Sequence, residues 1–567
     1  MNNTRLHAMM RRLSPLLIPA LIPVLVTLLY GGFLNNPLVF DDQYFFMQGN
    51  PERYVADGFV PRPRWLAYFS HGLTFTLLGD AILWQRIGNL ILHAATGLAL
   101  YALIRRLLAD LAPPRDGALD ARWAALFAAL LFVLHPAAVY GAAYLIQRTT
   151  VMATLFSLLC WLSFWRGLNG SRAGLWASAA FYLLAVFSKE HAVMVPAVCA
   201  ALLLLHRRSE LTQRAGKVEL ASLFSAYAVI GIFVVLTVKR VIGSAYEPLA
   251  SEMLDTLDAS IPKELVYPLS VLTQAGLFFK YLLLWIVPNG AWMSIDMREP
   301  FVLPPVVLRD WAFAAAFIAY PVAACLMLWR GRATGLIGLS LLAPWLLFAT
   351  EISSVRIQEI FVLYRSYLWA PALSVLFALG LLGMSRRTSA TIGVVLGIAC
   401  SAFSLNKLMT FGHSFYLWDE AAKLAEKEPS QGKAAGMARI YHNRGLALSR
   451  EGFLPNAIED FDRALSIRQD YTEVYNDRGA AHLMMKSYDL ALKDFNTAAE
   501  QAPGIARYHA GKAQAMEGLG KVSGAREENW LACALGWTQS CEILRATPAP
   551  AQSPDPSDGG VSSPPIR

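Results

Sequence analysis

The chain predicts an all-α protein built in two parts: a polytopic membrane helical bundle of about eleven spans, then a C-terminal α-solenoid. Three observations predict it. Hydrophobic residues make up 56% of the 567, and the mean hydropathy is +0.41, too apolar for a soluble protein of this size. Charged residues are only 16% of the chain and collect in short clusters between apolar runs. Near the C-terminus, small residues recur at a fixed interval of 34: Ala457, Ala491 and Ala525, then Ala464, Ala498 and Ala532.

The apolar runs lie near 16–34, 84–104, 123–140, 149–165, 173–188, 191–206, 219–238, 311–329, 333–350, 361–383 and 388–407, each close to the length that crosses a hydrocarbon core. The first lacks a small-residue cleavage site and reads as a signal anchor. The net charge of +8 does not indicate nucleic-acid binding, because much of the excess sits in pairs beside spans: Arg11-Arg12, Arg105-Arg106, Arg207-Arg208, Arg330/Arg332 and Arg386-Arg387. That is the positive-inside pattern. A twelfth run, Tyr267 to Pro288, is interrupted by Gln274 and Lys280. If it crossed, the last two arginine pairs would fall on the wrong side. It is therefore expected to lie in the interface or to re-enter, which makes the crossings odd and puts the C-terminal region outside. The segment 35–83 becomes an outer loop carrying an interfacial helix from Trp65 to Leu78, and 241–265 and 288–310 are further outer loops.

Gly445 and Gly479, and Phe461 and Phe495, keep the same 34-residue interval. A period of 34 with small residues at helix crossings is the signature of tetratricopeptide repeats. Repeats are expected from about Ala438, Thr472 and Ala506. In the third, Ala513 replaces the glycine and Asn529 the aromatic, as suits a capping repeat. Asn443, Arg444, Asn476, Asp477 and Arg478 are expected to face a groove that binds an acceptor. The plainer reading of the repeats is a rigid spacer or dimer contact. The expected domains are 1–410 for the membrane part, 411–545 for the repeats and 546–567 for a disordered tail rich in Pro, Ser, Ala and Asp. Of six cysteines, four lie in apolar runs. Cys533 and Cys541 could bridge only if Gly536 breaks the helix, since eight helical residues span about 12 Å.

With this topology, polar residues near apolar runs converge on the outer side: Asp41 and Asp42, Arg62 and Arg64, Asn89 and His93, His135, Gln147-Arg148, Ser188-Lys189-Glu190-His191, and Arg356, Glu359, Arg365 and Tyr367. Ionisable groups at membrane depth are expensive and mark functional sites. A carboxylate that takes a proton from a hydroxyl, beside cations that hold a leaving phosphate, suits transfer from a lipid phosphate. Taken singly, each has a bland reading: Asp41-Asp42 as a solvated pair, His93 and His135 as packing residues, Arg365 as a snorkelling anchor, Lys189-Glu190 as a local ion pair. The His and Asp spacings do not make a metal site.

Leu34 to Asp42, Arg62-Pro63, Asn89 with His93, His135-Pro136, Gln147-Arg148, Ser188-Lys189-Glu190, Tyr364 to Leu368 and Trp418-Asp419 resemble, in order, motifs of the transmembrane and tetratricopeptide-repeat O-mannosyltransferases and their bacterial relatives. The resemblance implies a GT-C-like glycosyltransferase fold. It also implies inverting transfer of a sugar from a polyprenyl-phosphate carrier to Ser or Thr hydroxyls of a secreted or surface protein. Asp41 would be the base, with Asp42 assisting or binding the acceptor. Arg62, Arg64, Arg148, Lys189 and Arg365 are expected to bind the donor phosphate, with Asn89, His93, His135, Glu190 and Tyr367 supporting them. No tightly bound cofactor is implied, and the metal requirement is open. Arg64, Arg86, Tyr140 and Leu363 depart from the family pattern; the extra arginines would suit a more anionic, pyrophosphate-linked donor. The expected location is a bacterial inner membrane with the repeats in the periplasm. Competing expectations are a non-catalytic membrane scaffold for envelope assembly and an enzyme that modifies a glycan or lipid. A transporter is disfavoured by the lack of internally duplicated spans.

Overall fold

A computed structural model describes residues 3–114, 116–209, 216–237, 261–427 and 434–546. The expected outer loop 241–265 and the expected tail lie largely outside the described residues. The chain divides into two compact units, Met1–Met437 and Ala438–Arg567. Among the described residues there are helices and two isolated bridges, and no named strand.

The first unit comprises α1 (Asn3–Tyr30), α2 (Trp65–Leu78), α3 (Ile82–Leu111), α4 (Ala121–Val133), α5 (Pro136–Ala142), α6 (Arg148–Leu168), α7 (Arg172–Ser188), α8 (Val195–Arg208), α9 (Lys217–Thr237), α10 (Lys263–Ile286), α11 (Leu308–Trp329), α12 (Arg332–Ile352), α13 (Pro371–Leu382), α14 (Arg386–Phe411) and α15 (Ser414–Glu426). Eight described helices are long and apolar enough to cross a membrane, among them α10, whose segment was expected to lie in the interface or re-enter; a bent pair, α4 with α5, makes nine, and three shorter apolar helices accompany them.

Two expected spans are corrected. The run 123–140 is not one helix: α4 and α5 meet at 65°. Pro136 has no N–H to continue the ladder, and His135 turns its ring back to cap α5, accepting from Ala137 N at 3.2 Å. The run 361–383 is helical only from Pro371, because Tyr364, Arg365 and Ser366 form a 3-10 turn whose polar side chains are held by tertiary bonds.

The bundle has two distinct ends. At one, the turns carrying the paired arginines meet: Arg332 N donates to Ser209 Oγ at 2.8 Å, Arg386 N donates to Gly117 O, and the Arg208 guanidinium lies over Trp329. Gly338 lets α11 and α12 close tightly behind this turn, for a Cβ there would sit 2.3 Å from Leu328 N. At the other end lie the candidate site residues. Helix α10 is 24 residues long, and its length runs beside the strap that follows α12. Tyr267 OH donates to Ile352 O, Gln274 Nε2 to Ile360 O, Tyr281 OH to Val362 O and Trp285 Nε1 to Ser366 Oγ.

The second unit is a series of helix pairs: α16 (Ala434–Arg450, starting just before it) with α17 (Leu454–Ile467), α18 (Thr472–Met484) with α19 (Tyr488–Gln501), and α20 (Ala506–Gly518) with α21 (Val522–Ala534), closed by α22 (Thr538–Ala546). One ion pair recurs with the 34-residue period: Arg444 with Asp460, Arg478 with Asp494, Lys512 with Glu528. These acidic partners are largely buried, so the pairs bolt each hairpin together. In the third repeat, Asn529 Oδ1 accepts from Ser540 Oγ at 2.7 Å, tying α22 onto the end. Cys533 and Cys541 are disulfide-bonded, with Cα atoms 4.8 Å apart. Gly536, at φ +96, makes the turn that allows it. Replacing both cysteines by serine is expected to lower the stability of this end of the solenoid by about 2–3 kcal/mol, from the loop-closure entropy of so short a ring; thermal unfolding with and without reductant checks it.

Candidate functional site

Asp41 and its neighbours are placed by the turn after α1. Arg86 anchors that turn, donating to Asn36 O at 2.7 Å, Pro37 O at 2.8 Å and Ala143 O at 3.2 Å. Phe40 has φ +49, a conformation that costs a non-glycine residue energy and is kept only where surroundings enforce it. It leads into the short helical turn Asp41–Gln43, in which successive side chains point about 100° apart. Asp41 is exposed and its N–H donates to Tyr144 OH at 3.1 Å. Asp42 is fully buried and accepts from Ile146 N at 2.8 Å and Leu145 N at 3.2 Å.

Asp41, Arg64, Lys189 and Arg365 line one polar cavity of about 130 Å³, together with Tyr68, Gln147, Thr149, His191, Glu359 and Tyr364. Arg64 reaches it from a second strained residue, at φ +64, and is held by Glu190, with Nε donating to Oε2 at 3.0 Å. Arg365 donates to Glu351 at 3.1 Å and to Glu359 at 2.7 Å. Lys189 is buried, and its ammonium donates to two neutral oxygens, Thr150 Oγ1 at 2.6 Å and Gln147 Oε1 at 3.1 Å. Burial, and then the Arg64 charge, push Lys189 down to about 7. Burial likewise pushes Asp42 up to about 7, against the opposing pull of the Ile146 N–H, Arg86 and the Leu145 N–H.

The other predicted residues lie elsewhere. Arg62 is exposed, with its guanidinium over the Tyr54 ring at 4.9 Å. Arg148 is buried and spent on the fold: it donates to Asn89 Oδ1 at 2.6 Å and Gln85 O at 2.7 Å, so Asn89 serves Arg148 and not a ligand. His93 donates from Nε2 to Val133 O and accepts at Nδ1 from Tyr367 OH at 2.6 Å. His135 caps α5 and stacks on Trp285. Arg86 does not line the cavity either, so of the two extra arginines only Arg64 is there. In the repeats, Arg444 pairs with Asp460 inside its hairpin, Arg478 pairs with Asp494 inside its own and with Asp462 of the preceding one, Asp477 meets His442 at 2.7 Å, Asn476 donates to Asp477, and Asn443 donates to Arg439 O. The arginines thus brace neighbouring helices, whereas the Asn443 and Asn476 bonds are local, and all five residues are half-buried.

Sequence reasoning missed Glu351, which is 1% exposed at the end of α12 and meets Arg365, Arg356 at 3.6 Å and His191 at 3.3 Å. Its signal was an acidic residue closing an apolar run. Thr150 and Tyr144 were also missed, and nothing in their spacing marks them.

No family model matches the chain. Hsp70-Hsp90 organizing protein 3 of Arabidopsis thaliana is 26% identical over 85 residues, which is 15% of this chain and 15% of that protein; the chain thus spans less than a fifth of the curated relative's length. Among solved structures, the second TPR domain of human RPAP3 in complex with the HSP70 peptide SGPTIEEVD is 23% identical, covering 20% of this chain and 96% of that one with a TM-score of 0.19. MamA 41-end from Desulfovibrio magneticus RS-1 is 18% identical, covering 25% and 83% with a TM-score of 0.20. The second unit, with its 34-residue hairpins and recurring ion pair, is of the tetratricopeptide-repeat class.

Proposed function

We propose that the chain is a membrane glycosyltransferase. It moves a sugar from a polyprenyl-phosphate carrier to a Ser or Thr hydroxyl of a protein, and the repeats recruit that protein. The observation that carries this reading is the cavity in which an exposed carboxylate, Asp41, faces three cations, Arg64, Lys189 and Arg365. In the reaction, Asp41 takes the proton of the acceptor hydroxyl as its oxygen bonds to the sugar's anomeric carbon. The bond from that carbon to the phosphate oxygen breaks with inversion, and the phosphate keeps the electron pair. Arg64, Lys189 and Arg365 meet the charge that develops there. Lys189 suits this task because neutral partners leave its ammonium undercompensated until an anion arrives.

The proposed setting is a bacterial inner membrane, with the site and the repeats on the periplasmic side. Two features support it. Arginine-bearing turns gather at the end of the bundle opposite the site. The Cys533–Cys541 bond suits an oxidising compartment. The Arabidopsis relative is named for organising two chaperones, and the RPAP3 domain is described with a bound peptide; a protein-binding role for these repeats accords with both.

Mass spectrometry of outer-surface and secreted proteins from cells with and without this chain tests the reading. Ser/Thr glycopeptides that vanish with the chain are the expected result; an unaltered proteome overturns it. Lys189 adds a pH signature. Below about 7 it is charged when the site is empty. Above that, binding an anion requires uptake of a proton, so donor KM should rise by up to about tenfold per pH unit. In Lys189→Met the KM is high throughout and this slope is gone.

A further inference from the structure

Just ahead of its carboxylates the chain turns between Val39 and Asp42, and Asp42 N closes the turn by donating to Val39 O at 3.0 Å. The first central residue is Phe40, at φ +49 and ψ −125. That is the geometry of the first central position of a type II′ turn, where glycine is the ordinary occupant because a side chain is strained there. The chain is fixed on both sides of this phenylalanine. Val39, before it, is buried, and Asp42, after it, accepts from the Leu145 and Ile146 N–H groups. The Phe40 ring itself is held by two others: Tyr144, tilted, with centroids 6.3 Å apart, and Trp418 of α15, edge to face at 5.5 Å. Trp418 is buried. Its helix is anchored in turn, because Lys407 of α14 donates to Glu420 of α15 and to Met293 O at 2.8 Å. Trp418 is not among the described residues that line the polar cavity, and no step of the reaction uses it.

We propose that Trp418 is a positioning residue for Asp41: it clamps the Phe40 ring and so keeps in place the strained turn that presents the carboxylate to the cavity. The inference rests on the reading of Asp41 as the base. Strain at a single residue persists only while its neighbours over-determine it. Without the Trp418 edge, Phe40 relaxes toward negative φ, and rotation there swings the helical turn Asp41–Gln43 that follows. The cations that meet the phosphate stand on other elements: Arg64 just ahead of α2, Lys189 between α7 and α8, and Arg365 in the strap after α12. A displaced turn therefore moves the base away from the acceptor hydroxyl and leaves the phosphate contacts standing. A misplacement of about 1 Å costs on the order of 10²-fold in rate, so a ring contact made outside the cavity is enough to govern turnover.

Transfer by the full chain in membranes tests this. The lipid-linked sugar fraction extracted from the producing cells serves as donor and is titrated, and the unglycosylated form of a Ser/Thr peptide found by the mass-spectrometric comparison serves as acceptor. In Trp418→Ala, at unchanged protein level, the maximal rate should fall by about 10–10²-fold while the half-saturating amount of donor stays the same. In a Phe40→Gly background, where glycine takes positive φ without strain, the same Trp418→Ala change should cost no further rate. Trp418→Leu, which keeps apolar bulk and loses the ring edge, is read in the same way where Trp418→Ala does not accumulate. An undiminished maximal rate, an equal loss in both backgrounds, or a loss carried by donor half-saturation each overturns the proposal. A wild-type chain that transfers no sugar sinks the reading of the site together with it, whereas wild-type transfer with any of those three patterns sinks this inference alone.

Discussion

Asp41→Asn should reduce glycosyl transfer by about 10²–10⁴-fold, the range associated with losing a general base, at unchanged protein level and melting temperature. The substitution removes the proton acceptor with little change of side-chain size. Asp41 is exposed, and its bond to Tyr144 is made by the backbone N–H, which asparagine keeps. Asp42→Ala provides the contrast. Asp42 is the acceptor for two buried N–H groups that shape the turn ahead of α6, and each left unsatisfied costs about 1–3 kcal/mol. That variant should therefore lose stability first and activity as a consequence. A membrane-fraction transfer assay with the glycopeptide acceptor, run beside a thermal-shift measurement, separates the two. Full activity in Asp41→Asn would remove Asp41 as the base.

The adjacency of Asp41 and Asp42 in sequence hid their division of labour. A pair of carboxylates after a span reads as one acidic patch. Only the short helical turn Asp41–Gln43, which no pattern announces, sends one to solvent and the other inward. The apolar runs were legible because composition alone sets them, and the helical repeat was legible because its spacing is written in alanines and glycines. The strap between α12 and α13 was not, since its polar residues were counted within an apolar window. Arginines misled for a related reason. Arg64, Arg148 and Arg365 are alike in sequence, yet Arg148 meets backbone and amide oxygens inside the bundle, and burial partners are a property of the fold. The ion pair repeated from Arg444–Asp460 was available at fixed offsets, but reading it needs the two helices of a hairpin to be already facing.

Arg365 gives the second large effect, because its removal acts on stability and chemistry together. Glu351, 1% exposed, depends on it. Arg365→Met leaves that carboxylate with Arg356 at 3.6 Å and His191 at 3.3 Å as its nearest charged or titratable partners, and breaking one side of a buried pair costs about 3–5 kcal/mol. The double variant Arg365→Met/Glu351→Gln removes the stranded charge along with its partner, so it should recover most of the lost stability. Transfer should not return with it, because the cavity still lacks one of the three cations that meet the leaving phosphate. If the double variant recovers both melting temperature and turnover, Arg365 is only a strut for α12. If stability returns while transfer stays down by about 10²-fold or more, Arg365 acts in the transfer itself.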